Sequence, residues 1–172
     1  MSIDGLQPEH DARRAPATYD RILKHIEGHN VTVHCTVTRQ PARRPGYLEE
    51  FVTYWSARDT VSKILVSLHT PQVGEISDER LTVADRQRAI DDLLSLRARF
   101  SKLKMSKAMI KMFATPPASP AECVFSRLTT CLSADLQTGI TPCQFGGAPD
   151  CADCGCAASA GFSAIGAYRW PA

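Results

Sequence analysis

Six of the chain's seven cysteines, Cys123, Cys131, Cys143, Cys151, Cys154 and Cys156, fall in its last third, whereas all five histidines lie before residue 70. Thiols this close together, with no imidazole near them in sequence, point to metal or redox chemistry more than to a disulfide framework if the chain works in a reducing compartment. The start, Met1-Ser2-Ile3-Asp4-Gly5, has neither the basic opening nor the apolar stretch of a secretory signal, so a cytoplasmic location is expected. All-thiolate coordination suits zinc or an iron-sulfur cluster. A zinc ribbon uses two Cys-x-x-Cys knuckles, and here only Cys151 with Cys154 has that spacing, which leans the reading toward iron and sulfur. Gly146, Gly147 and Gly155 let the backbone pass close to an inorganic core and point amide hydrogens at sulfur. Cys131, inside an expected strand, and Cys35, on the apolar face of another, read instead as small buried side chains.

The elements that must position these thiols follow from periodicity. Tyr19, Ile22, Leu23 and Ile26 share one helical face, and Gly28 stands where a left-handed cap is needed. Val31, Val33, Cys35 and Val37 alternate with Thr32, His34, Thr36 and Thr38, the pattern of a strand. Leu48, Phe51, Val52 and Trp55 give a second helix, and the apolar run 64–68 a second strand, of the kind covered on both faces. Thr82 with Asp85 opens a third helix, carried by Ile90, Leu93, Leu94, Arg97 and Phe100, and Met105, Met109, Met112 and Phe113 mark a last helical stretch whose methionines are read as core. Strand, helix, strand, helix is the order of parallel βαβ units, with Ser2 to Gly5 as the tail of one more strand. Ser2, Asp4, Thr36, Thr38, Ser67 and His69 then sit at the carboxyl ends of strands, where open α/β sheets bind ligands.

Thr115 to Pro120 is a proline-rich joint, beyond which charge thins, so a boundary is expected there: 1–115, and a cysteine-rich part 116–172. In the second part, two short strands over 128–134 and 138–143, turning at Gly139, would bring Cys143 back toward Cys123, with Cys151, Cys154 and Cys156 arriving from one loop. Twenty Lys and Arg against 18 Asp and Glu leave a formal charge of +2, too little basic excess to make nucleic acid the expected partner. No apolar run approaches the roughly 18 residues of a membrane span. His34 and His69 are read as structural or surface groups, and the run Lys102, Lys104, Lys107, Lys111 as a solvated face.

Ser2-Ile3-Asp4-Gly5 followed by His10-Asp11 and Arg14 resembles the fourth-strand segment of radical S-adenosylmethionine (radical SAM) enzymes. The cysteine-flanked hairpin, the glycine turn and Thr141-Pro142-Cys143 resemble the auxiliary-cluster extensions called SPASM and Twitch domains. The resemblance implies an α/β fold: an incomplete parallel (βα) partial barrel followed by a small cysteine-rich β-hairpin domain. Ser2, Asp4, Thr36 and Thr38 would line the S-adenosylmethionine site. Cys123 and Cys143 would be the first two ligands of one auxiliary 4Fe-4S cluster, and the other two would come from Cys151, Cys154 and Cys156. The family's cofactor-cleaving triplet, Cys-x3-Cys-x2-Cys, does not occur in this sequence. The chain is therefore expected to be the carboxyl-terminal half of such an enzyme, a truncated product that binds the auxiliary cluster and is inactive alone. In the complete enzyme the implied partners are a peptide or small-molecule substrate and an electron-donor protein. The competing expectation is a non-enzymatic module in which the same thiols hold zinc and dock a partner protein.

Overall fold

The computed structural model describes residues 1–14, 16 and 18–166. Its elements in order are α1 (Gln7–Arg13), α2 (Tyr19–His25), β1 (Val31–Val37), α3 (Arg39–Arg43), α4 (Tyr47–Ser56), β2 (Val61–Leu68), α5 (Val83–Arg99), α6 (Lys107–Lys111), α7 (Val124–Leu128), β3 (Cys131–Leu132), β4 (Gly139–Ile140) and α8 (Ala157–Gly166). Strands β1 and β2 pair in parallel, with Val33 opposite Ile64 and Val37 opposite Leu68. Single parallel bridges extend this sheet on both sides, Ser2 to His34 and Ile64 to Leu103. Strand-helix-strand order with a parallel register makes this a mixed α/β fold with a small sheet, and no closed barrel occurs among the described residues.

The period of two sorts β1 cleanly. Val33, Cys35 and Val37 are buried with Leu48, Phe51, Val52 and Trp55 of α4 and Ala89, Ile90, Leu93 and Leu96 of α5, while Thr32, His34 and Thr36 stay half-buried on the other face. Trp55, Phe51 and Leu93 have no appreciable exposure, so truncating the aromatics to Ala would cost roughly 3–5 kcal/mol. Helix α5 starts as expected: Thr82 accepts from the Asp85 amide, and the Asp85 carboxylate accepts from the Thr82 amide in return. Gly28 has the left-handed φ of +74°.

Several expectations need correction. The last helical stretch begins at Lys107, because Ser106 caps it by accepting from the Met109 amide, and Met105 lies ahead of the cap. The hairpin is only two residues per strand. Its first expected residue, Leu128, ends helix α7, and the turn is made by Asp135, whose carboxylate accepts from the Gln137 and Thr138 amides, so Gly139 is a strand residue. Short helices α1 and α3, and α8 near the end, were not foreseen.

No helix or strand occupies 115–120. Beyond it the chain returns to the carboxyl end of β2: Leu68 N–H donates to Gly155 O at 2.8 Å, Val73 N–H to Ala148 O at 2.7 Å and Asp150 N–H to Pro71 O at 2.8 Å. Residues 167–172 of the expected second part lie outside the described residues. Among the described residues no helix is long and apolar enough to cross a membrane.

Candidate metal centre

Five thiols, Cys123, Cys143, Cys151, Cys154 and Cys156, line one small cavity together with Thr70, Phe125, Phe145 and Ser159. They arrive from three places. Cys123 precedes α7, and its amide is held by Ser119 O and Pro120 O. Cys143 follows β4 in a turn closed by Gly146 N–H to Cys143 O at 2.9 Å, where Gly146 and Gly147 both take left-handed φ values that side-chain-bearing residues resist. Cys151 to Asp153 form one 3-10 turn that delivers Cys154 and Cys156 against the end of β2. Cys131 is not among the lining residues and pairs with Ile140.

Gly155 explains how two cysteines so close in sequence reach the same chamber. Its amide donates to Thr70 Oγ1 at 2.9 Å and its carbonyl accepts from Leu68 N–H. A Cβ there would overlap the Leu68 carbonyl, so only glycine lets the loop lie this close to β2.

Three of the five sulfurs, those of Cys123, Cys154 and Cys156, have hydrogen-bond partners. Gln144 Nε2 donates to Cys156 Sγ at 2.9 Å, and the Ser159 amide, at the start of α8, donates to it at 3.4 Å. Cys123 Sγ lies 3.2 Å from Ser159 Oγ, and Thr70 Oγ1 donates to Cys154 Sγ at 3.9 Å. Burial outweighs these donors and raises the thiols of Cys151, Cys154 and Cys156, the last to about 11. With nothing bound they hold their protons at neutral pH, and a cation must displace them.

Two arginines that sequence reading did not single out hold the loop. Arg80 Nη2 donates to Asp150 Oδ2 at 2.8 Å and to Asp153 Oδ2 at 2.6 Å. Arg86 on α5, only 8% exposed, donates to the carbonyls of Phe113 (3.1 Å), Cys154 (3.0 Å) and Asp153 (2.5 Å). Two of these bonds from Arg80 and two from Arg86 hold Asp150, Asp153 and Cys154, fixing the turn that carries Cys151 and Cys154.

The thiol chamber shares a wall with an open cleft of about 740 Å³ on the half-buried face of the sheet. Thr70, Gln144, Phe145 and Cys156 border both spaces. The sheet supplies His34, Thr36, Leu65 and Ser67 to the cleft, and α8 with Met109 supplies its apolar wall. Ser67 Oγ accepts from the Ala157 amide at 3.1 Å, which leaves its proton for His34 Nε2 at 2.8 Å. Burial lowers the pKa of His34, consistent with a neutral ring that accepts this bond.

Of the four residues expected at the cofactor site, Thr36 lines the cleft and the other three do not. Thr38 is buried at the N-terminus of α3. Ser2 is exposed and joins the sheet by its bridge to His34. Asp4 is held by Arg14 Nε at 2.7 Å and Arg13 Nη1 at 3.6 Å. The His10-Asp11-Arg14 segment thus works as a clasp on the stretch that follows the Ser2 bridge to β1. His10 Nδ1 accepts from the Asp4 amide at 3.1 Å, placing the ring proton on Nε2 toward Thr18 Oγ1, while the Asp11 carboxylate accepts from the Thr18 and Tyr19 amides that open α2. Cys35, buried behind the sheet, has its thiol pushed up to about 12 and lies apart from the chamber.

Whether the thiols fit a metal depends on how far apart they stand. Among the described residues no three His, Cys, Asp or Glu side chains are close enough to hold one metal ion. The space enclosed is about 20 Å³, enough for about one water-sized body. A single zinc needs four sulfurs at about 2.3 Å from one point, so the thiols would have to draw together. A core of several irons puts each thiolate on a different atom and accepts sulfurs set wider apart, and admitting it requires the side chains to swing outward. The donor set, five sulfurs on one chamber, matches the chemistry of such a core. Compared with known proteins, the chain matches no family model, no curated protein and no solved structure.

Proposed function

We propose that this chain is the carboxyl-terminal half of a radical SAM enzyme, a cytoplasmic protein that holds one auxiliary 4Fe-4S cluster between Cys123, Cys143, Cys151 and Cys154 and offers the adjoining cleft to substrate. The observation that carries the reading is the convergence of thiols from three separated segments on one chamber at the carboxyl end of a parallel strand, with a wall in common with a cleft on the sheet. The parallel segments at Ser2, β1, β2 and Leu103, neighbours in chain order, are what part of a (βα) barrel would contribute. The clasp of Asp4 by His10 and Arg14 gives a physical role to the motif that suggested the family.

Cys156 is assigned to the wall rather than to the ligand set, because it borders both spaces and its sulfur already accepts from Gln144 and Ser159. When bound, the cluster supplies an electron-transfer or substrate-anchoring centre beside the cleft. The chain's own residues do the rest. Gln144 and the α8 amides orient sulfur, Arg80 and Arg86 fix the loop, and Thr36 with the His34–Ser67 pair presents polar groups to whatever enters. Without a Cys-x3-Cys-x2-Cys triplet the chain cannot generate the radical, so S-adenosylmethionine cleavage and its electron donor belong to the complete enzyme.

Anaerobic incubation with iron and sulfide tests this. The reading expects a brown protein with four irons and four sulfides per chain. A colourless protein that takes up one zinc per chain would replace it with the zinc-stabilised interaction module.

A further inference from the structure

The position of Arg86 deepens that reading and rests on it. The residue is more than nine-tenths buried, and its guanidinium is always charged. Burying a cation is costly unless an anion compensates it. Yet all three of its hydrogen-bond partners are neutral carbonyls, those of Phe113, Asp153 and Cys154, and it makes no salt bridge among the described residues. The carboxylates of Asp150 and Asp153 are taken by Arg80. Arg86 therefore places a buried positive charge without a salt-bridge partner against the backbone of Cys154, whose thiol lines the chamber.

We propose that Arg86 is the fixed counter-charge of the cluster, a positioning residue that completes the charge balance of the site only when the thiols are metal-bound and anionic. The cluster becomes more negative on reduction, so a buried cation bonded to the backbone of one of its ligands stabilises the reduced form and raises the reduction potential. The same charge explains why an arginine, with its fork of donors, is used. It holds the Asp153 and Cys154 carbonyls in place and supplies the field at once.

The test is a redox titration of the reconstituted full chain, followed by visible absorbance and by the spin signal of the reduced cluster, for three variants beside the unaltered protein. Arg86→Gln should shift the midpoint potential to more negative values. Arg86→Lys should stay near the original value. Asp153→Asn, which removes an anion beside the same loop while keeping Arg86, should shift it in the positive direction. A purely structural role for Arg86 would lower iron content or thermal stability without these opposed shifts. If Arg86→Gln does not load, the Lys and Asn variants decide: an unmoved potential in Asp153→Asn, or a negative shift in Arg86→Lys as large as removal of the charge would give, overturns the proposal. Failure of the unaltered chain to take up iron overturns the cluster reading itself, and this inference with it. Normal loading with potentials that ignore the charge changes overturns the inference alone.

Discussion

Replacing Gly155 by alanine puts the seating of the thiol loop to a sharp test. A Cβ at this position would overlap the Leu68 carbonyl, a backbone group of the buried strand that has no freedom to turn aside. Overpacking of this kind costs roughly 1–3 kcal/mol. Relief requires the loop to lift from β2, which breaks the bonds from Leu68 N–H to Gly155 O and from Gly155 N–H to Thr70 Oγ1, each contributing about 1 kcal/mol. Gly155→Ala should therefore destabilise the chain by about 3 kcal/mol, more than a hundredfold in the folding equilibrium, and reduce iron uptake in step because Cys154 and Cys156 flank the site of the clash. Denaturant unfolding, paired with iron analysis after reconstitution, reads both effects. Gly139→Ala is the matched control. Nothing lies within 4 Å of a Cβ there, so its effect should stay within about 0.5 kcal/mol. Equal unfolding midpoints and equal iron in Gly155→Ala and Gly139→Ala would refute the docking of the cysteine loop onto β2.

Cys143→Ala should abolish cluster incorporation while Cys35→Ala leaves it intact, as counted by iron per chain, since only the first thiol lines the chamber. Equal iron in the two variants would overturn the ligand assignment. Loading should strengthen as pH rises, because the Cys151 and Cys154 thiols, raised by burial, release protons when metal binds; a competition titration with a metal chelator at two pH values checks this, and a flat profile would contradict it. In the capping box of α5, burial pushes the Asp85 carboxyl up but is outweighed by bonds from Arg43 and Thr82, leaving it at about 2. Because the folded value is below the ordinary one, the stabilisation is present above the usual carboxylate range and is lost as pH falls through about 2. Thr82→Ala should cost about 1 kcal/mol near neutrality, measured by thermal or urea unfolding, and an unchanged midpoint would argue against the cap.

The strands and long helices were legible because their periodicity coincides with burial. Val33, Cys35 and Val37 alternate exactly where the core lies, and the Thr82-Asp85 pair is a local device that needs no tertiary information. Helix α8 escaped notice because Ala157-Ala158-Ser159-Ala160-Gly161 offers small residues with no apolar stripe, and its packing against α6 and β2 is decided far away in sequence. The hairpin was drawn too long because Leu128 to Ser133 satisfies a strand pattern while Val124 to Leu128 closes a helical turn. At the candidate site, cysteine spacing pointed to the thiols and could not separate Cys156 from its neighbours, since its place in the wall depends on Gln144 and on the start of α8. Arg86 looked like one charge among many on α5. Its burial comes from carbonyls 27 and 67–68 residues further along the chain. Thr38 has the right residue type for a strand end, but helix α3 begins at Arg39 and buries it.

X-ray absorption of the anaerobically purified chain bears most directly on the central claim, because it identifies the metal and its neighbours in one spectrum. At the iron edge, the account expects sulfur neighbours followed by an iron-iron shell, with both lost in Cys143→Ala. A zinc edge showing four sulfurs at about 2.3 Å with no metal beyond them, and no iron signal, would contradict it.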